Sequence, residues 1–189
     1  MTRLDKVTDH EGKEKLRQDG QDFPPLKLNL GCGNDFLPRG VINVDCRNLI
    51  PPDGAIFLRA DVADLADYFE DGCADEVWAH DVLEHFPQET AKTVLAGWVR
   101  LLAPGGLLHL RTPDLESLGH FLLQKNVDPE VRALRVYGGQ TYAENFHKAG
   151  FTIPYLTALL SGMGMDVTHA TSDPRAHTNL DLCARKRGA

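Results

Sequence analysis

Two groups of residues in this chain have types and spacings suited to chemistry. The first is Gly31-Cys32-Gly33, which follows the alternating apolar residues Leu26, Leu28 and Leu30, together with Asp45 at the end of a second apolar run. Glycines directly after a buried strand let backbone N–H groups approach a ligand where a Cβ would intrude. An acid at the end of the neighbouring strand can accept hydrogen bonds from ribose hydroxyls. Together they predict a pocket for an adenosine-containing molecule at the carboxyl ends of parallel strands, with Asn29, Gly31, Cys32, Gly33 and Asp45 as candidate contacts. Cys32 reads as a small residue that fits the turn rather than a reactive thiol.

The spacing narrows the ligand. A dinucleotide site wants Gly-x-Gly-x-x-Gly and a ribose acid about 20 residues on, beyond a full crossover helix. Here Phe36 holds the third glycine's position, 14 residues separate Gly31 from Asp45, and Pro38 and Gly40 interrupt them. The pocket suits a ligand without a diphosphate, which argues against a nicotinamide-dependent oxidoreductase.

The second group is His80, Asp81, Glu84 and His85, followed much later by His147. His80 and Asp81 fall just past a strand end, where open α/β sheets bind ligands. A zinc-binding helix needs two histidines at i and i+4, whereas His80 and His85 are five apart and turn to different faces. The chain has no Cys-x-x-Cys pair, so no metal site is expected. His85 is equally readable as a histidine hydrogen-bonded within a helical turn, and His147 as a packing residue that anchors its loop.

The elements that must position these residues follow from periodicity. Strands are predicted over 26–30, 41–45, 55–59, 75–79 and 107–111, with a last pair near 166–170 and 178–185. Gln88–Leu102 is the clearest helix: Val94, Leu95, Trp98, Leu101 and Leu102 form one apolar stripe. Further helices are predicted near 62–70, 115–124, 129–137 and 154–160. Trp78, Trp98 and Leu101 are expected in the core, and Tyr142 with Phe146 in a small core beneath a lid. Alternating strands and helices predict a Rossmann-like, seven-stranded, mostly parallel sheet with helices on both faces.

At 189 residues the chain reads as one domain. Residues 1–22 hold eleven Asp, Glu, Lys or Arg residues, so 1–24 is expected to be a flexible or loosely helical tail and 25–187 the domain. Net charge is −7, and residues 60–89 carry ten acids without one Lys or Arg. Such a face repels phosphate backbones, so no nucleic-acid partner is expected. No apolar run is long enough to span a membrane, and the first residues lack a signal-peptide core. With four scattered cysteines, these features lead to an expectation of a cytoplasmic protein without a membrane partner. The oligomeric state stays open, a homodimer included.

The chain resembles the class I S-adenosylmethionine-dependent methyltransferases, and most closely the small type 11 proteins. The likeness rests on Leu28-Asn29-Leu30-Gly31-Cys32-Gly33, on Asp61-Val62, on the run from Glu76 to Phe86, and on Leu101-Leu102-Ala103-Pro104-Gly105-Gly106. It implies S-adenosyl-L-methionine as cofactor, Asp61 and Val62 at the adenine, His80 and Asp81 beside the sulfonium and acceptor, and a final strand antiparallel to its neighbours. Asn34-Asp35 depart from the small residues that many members carry there. The family places acceptor-binding insertions at about 113–152, and related proteins carry a histidine before Gly-Phe-Thr, matching His147 with Gly150-Phe151-Thr152. The resemblance therefore implies methyl transfer to a small-molecule acceptor, a hydroxyl of a sugar, nucleotide-sugar or natural product, with His147, His85 and Asp81 as catalytic candidates. The rival is a partner protein that binds the cofactor without catalysis.

Overall fold

The computed structural model describes residues 5–8, 14–17, 26–172 and 178–188. Two short strands, β1 (Asp5–Thr8) and β2 (Glu14–Arg17), pair antiparallel. These residues were expected in a flexible or loosely helical tail and instead take extended backbone; the rest of that tail lies outside the described residues. The main sheet contains β3 (Lys27–Leu30), β4 (Val41–Asp45), β5 (Ile56–Arg59), β6 (Ala74–His80), β7 (Leu102–Pro113), β8 (Met165–Ser172) and β9 (Asn179–Lys186). Its order is β5-β4-β3-β6-β7-β9-β8. All neighbours run parallel except at β9, which is antiparallel to both β7 and β8. This is the expected Rossmann-like sheet with a reversed last strand.

Side-chain alternation divides the sheet into unlike faces. Register aligns Leu28 with Ile42 and Val77, Val77 with Leu108, and Leu108 with Ala184. The next row on that face is Leu30, Val44, Ala79, Leu110 and Leu182. Both rows join a single apolar cluster with Leu95 and Trp98 of α1 (Gln88–Leu101) and Leu156 and Leu160 of α4 (Ile153–Gly162). The opposite face carries Lys27, Glu76, Trp78, His109 and Cys183. There Trp78 stacks on His109 at 5.0 Å and Lys27 Nζ donates to Glu76 at 2.7 Å. Trp98 and Leu101 are core residues as expected, but Trp78 is not.

A parallel sheet covered equally on both faces reads as continuous apolar strands, and β6 and β7 alternate instead. Helices α1 and α4 pack into the apolar cluster through Leu95, Trp98, Leu156 and Leu160. Among the described residues, the crossovers 31–40 and 46–55 contain no helix. Two further helices, α2 (Leu115–Leu122) and α3 (Pro129–Tyr137), follow β7. Asp114, Asp128 and Thr152 start α2, α3 and α4 by accepting first-turn N–H groups.

The helix expected near 62–70 is a series of turns. Asp61 Oδ1 accepts the Ala63 N–H at 2.9 Å, and only Tyr68 and Phe69 N–H groups reach back to the Leu65 carbonyl. Closely spaced aspartates compete for local N–H groups and favour turns over helix. Leu65 and Phe69 are nonetheless buried, as the apolar spacing required.

Candidate active site

The carboxyl ends of β3, β4 and β6 open into a crevice of about 660 Å³. Asn29, Gly31, Cys32, Gly33, Asp45, Asp61, Val62, His80, Asp81, His85 and His147 all line it, so the fold gathers every residue singled out from the sequence.

At one end the chain leaves β3 through Gly31 and Gly33, with φ of +63° and +54°. These are left-handed values that favour glycine. A Cβ on Gly31 would lie 2.4 Å from Val82 Cγ2, so that turn admits no side chain. Asn29 is buried and donates to the Asp35 carbonyl and to Asn43 Oδ1, each at 2.9 Å, pinning the loop to the sheet. Asp45 accepts the Gly33 N–H and the Arg47 N–H, each at 2.9 Å, and the Arg47 guanidinium at 3.0 Å. Burial alone would raise its pKa, but these hydrogen bonds outweigh it and hold the carboxyl below the usual range. Burial, aided by the Asp45 charge, pushes the Cys32 thiol up to about 12, which removes it as a nucleophile. Asp61 sits exposed at the rim, while Val62 is fixed by Trp98 Nε1 donating to its carbonyl at 2.8 Å.

Asp81 has φ +56° and its carboxylate is taken up by two partners. Arg111 Nε donates to Oδ2 at 2.9 Å and Asn179 Nδ2 to Oδ1 at 2.6 Å. Held from both sides, Asp81 ties the β6 terminus to Arg111 and Asn179. His80 lies at the exposed rim, its pKa lowered by desolvation and then by Arg111.

At the other end, a single 3-10 turn (Leu83–His85) meets the segment after α3. The Glu84 carbonyl accepts the Lys148 N–H at 2.7 Å, Gln88 Oε1 accepts the Gly150 N–H at 3.3 Å, and the His85 ring meets the Phe146 carbonyl at 3.1 Å through Nδ1. These bonds bring the His85 and His147 rings to 5.3 Å between centroids. Gly138, at φ +78°, leaves room for the second ring: its Cβ would meet His147 Cδ2 at 2.9 Å. Desolvation lowers both histidines' pKa, so both are neutral at pH 7 and able to accept a proton. Glu84 is 1% exposed, and burial raises its pKa to about 8.

A sequence model of a methyltransferase domain matches residues 28–110. A comparison with curated proteins found no match. Among solved structures, the chain resembles the Burkholderia thailandensis 1,6-didemethyltoxoflavin N1-methyltransferase bound to that substrate and S-adenosylhomocysteine. That likeness has 19% identity and a TM-score of 0.57, covering 87% of this chain and 72% of the other. It also resembles a Haloferax volcanii complex of the Trm112 methyltransferase activator with a putative methyltransferase, at 13% identity and TM-score 0.62, covering 90% and 85%. The [4+2]-cyclase SpnF is a third likeness, at 13% identity and TM-score 0.58, covering 89% and 76%. At these identities the structural likenesses speak for the fold, and the domain match covers residues 28–110. Residues 28–110 thus match a methyltransferase domain, within a chain that has the fold of these solved structures.

S-adenosylmethionine is the methyl donor of such a domain, and the crevice fits it. The turn at Gly31 is a cradle that a Cβ would fill, and Asp45 offers a buried carboxylate one strand away. The guanidinium of Arg47 already rests on Asp45 and lies 4.8 Å from the Tyr142 ring. Ribose hydroxyls can exchange with this part-exposed guanidinium while the two backbone N–H bonds stay. Tyr142 and Phe146 were expected in a lid core, yet they are 39% and 37% exposed. Sequence reasoning missed Arg47, and it left Glu84 without a definite role. The signal for Arg47 was its i+2 spacing from Asp45; Glu84 showed its burial only once β7 lay beside it.

Proposed function

We propose that this methyltransferase domain methylates a hydroxyl of a small-molecule acceptor, such as a sugar, nucleotide-sugar or natural product. The observation that carries this reading is the pairing, across one crevice, of the Gly31–Asp45 cradle with two neutral histidines. Bound S-adenosylmethionine supplies an activated methyl group on a sulfonium centre. Backbone at Gly31 and Gly33 would hold the methionine end, Asp45 the ribose hydroxyls, and Asp61 and Val62 the adenine. His80 would border the sulfonium. His147 or His85 would accept the acceptor's proton, a step that positioned bases accelerate by ~10²–10⁴. The segment 113–152 would shape the acceptor end, and its closeness to the cradle supplies near-attack positioning and excludes water.

The test is direct. Purified protein is titrated calorimetrically with S-adenosylmethionine, then incubated with a panel of hydroxyl and amine acceptors while S-adenosylhomocysteine is measured. Binding followed by release with a hydroxyl acceptor supports the reading, and release only with amines overturns the acceptor class. A second reading, a cofactor-binding partner without catalysis, draws on the ten acids of residues 60–89, which could serve protein contacts. It predicts binding without turnover for any acceptor.

A further inference from the structure

We propose that Glu84, His85 and His147 form a binding site for a first-row divalent transition-metal cation at the acceptor end of the crevice. One donor atom from each of the three lies within 4.8 Å of the others. Two imidazoles and one carboxylate are a donor set typical of zinc, iron and their neighbours, and they leave coordination positions open. Bonds of about 2.0–2.2 Å need donors roughly 3.0–3.5 Å apart, so small rotations of the two half-buried rings would close the set.

The carboxylate gives the strongest argument. Glu84 is 1% exposed; its Oε2 accepts from Thr112 Oγ1 at 3.0 Å, while Oε1 is buried with no hydrogen-bond partner among the described residues. A buried carboxyl oxygen without a hydrogen-bond partner is costly, and a cation that displaces the carboxyl proton is one of the few groups that offsets the cost. The nearby guanidinium of Arg111 is committed to Asp81. His85 is supported from outside, as metal-bound imidazoles are. The Phe146 carbonyl lies 3.1 Å from His85 Nδ1. A neutral ring gives its one N–H to such a carbonyl and keeps a lone pair on the other nitrogen.

The expectation of no metal site weighed His80 with His85 on one helix and the absence of a Cys-x-x-Cys pair or further spaced ligand. The third donor comes from a segment 62 residues after His85 (147 minus 85), which no local motif reveals. Open positions of the cation would face the crevice, where an acceptor oxygen completes the shell. That last consequence rests on the acceptor reading above; the cation site does not.

The test uses the full chain, treated with a chelator and titrated with Co²⁺ while visible d–d absorption is followed, with Zn²⁺ as competitor and Mg²⁺ as control. One Co²⁺ per chain with a nitrogen–oxygen spectrum, displaced by Zn²⁺ and not by Mg²⁺, is expected. Glu84→Gln, close in shape, and His147→Gln should each weaken binding by about 100-fold or more, beyond the ~10–100-fold of lost outer partners. S-adenosylmethionine calorimetry on the same variants shows whether the fold and cradle persist. Saturation failing at about 1 mM Co²⁺, far weaker than protein sites of this donor set, overturns the proposal. So does binding that survives both substitutions and vanishes in Cys46→Ser, an exposed thiol at the crevice edge. A bound cation would occupy the lone pairs of both rings, so the base role proposed for His147 or His85 belongs to the cation-free protein, and S-adenosylhomocysteine release with and without chelator reads it separately.

Discussion

At the glycine end of the crevice, the bonds that hold the turn to its acid span short stretches of chain. The Gly33 N–H reaches Asp45 across 12 residues, Asn29 reaches Asn43 across 14, and Arg47 reaches Asp45 across two. At the histidine end the joining bonds span 61 residues between His85 and Phe146 and 62 between Gln88 and Gly150. Closing a longer loop costs more entropy, and only packing repays it. The glycine end is thus set by local backbone geometry, and the histidine end by how residues 138–152 dock on the turn at 83–85. Damage to the two ends should separate cleanly in measurement.

The largest separation is expected from His147→Ala. Turnover should fall by about 100-fold or more, the scale of a lost general base, while calorimetry shows cofactor affinity nearly unchanged. Full activity would make His147 structural. Gly31→Ala should do the reverse, costing roughly 3 kcal/mol of cofactor affinity from left-handed strain and the clash with Val82. An affinity equal to the parent's would dismiss the cradle. Asp45→Ala should weaken cofactor binding by about 1–3 kcal/mol, the range for a lost charge-assisted hydrogen bond. Arg47→Ala should change it by less than about 1 kcal/mol, because a part-exposed guanidinium gives up little.

Two titrations sharpen the contrast further. Because desolvation lowers the pKa of His85 and His147, kcat/KM should hold as pH falls to 6.5 and drop only below it. An acid limb centred above 6.5 would count against either histidine as base. In chelator-treated protein, folded Glu84 keeps its proton up to about pH 8, whereas an unfolded carboxyl releases it near 4.5. A raised folded pKa stabilises fully below 4.5, and that stabilisation is lost as pH climbs towards 8. Glu84→Gln should remove this loss, so its melting temperature should gain on the parent's between pH 5 and 8. The difference is on the order of a few kcal/mol, and parallel melting curves would show that Glu84 is not desolvated.

Much of the fold is legible in the order of residues. Leu28, Leu30, Val77 and Leu108 announce strands by alternation, and the stripe from Val94 to Leu101 announces α1. Both signals are periodic and need no distant partner. The region 62–70 misled because Leu65 and Phe69 carry helical spacing while Asp61, Asp64 and Asp67 favour turns, and the turns won. Trp78 misled because a large aromatic reads as core, although its strand position faces the polar side with His109.

By itself the sequence determined the sheet, the glycine turn and the acid that faces it, because each follows from neighbours within about one strand and loop. Tertiary structure alone decided that Glu84 would be buried with an unpartnered oxygen, that Arg47 would clamp Asp45, and that His85 and His147 would share one corner. Those outcomes depend on which distant surfaces meet, and burial and charge pairing acquire values only after the chain has closed.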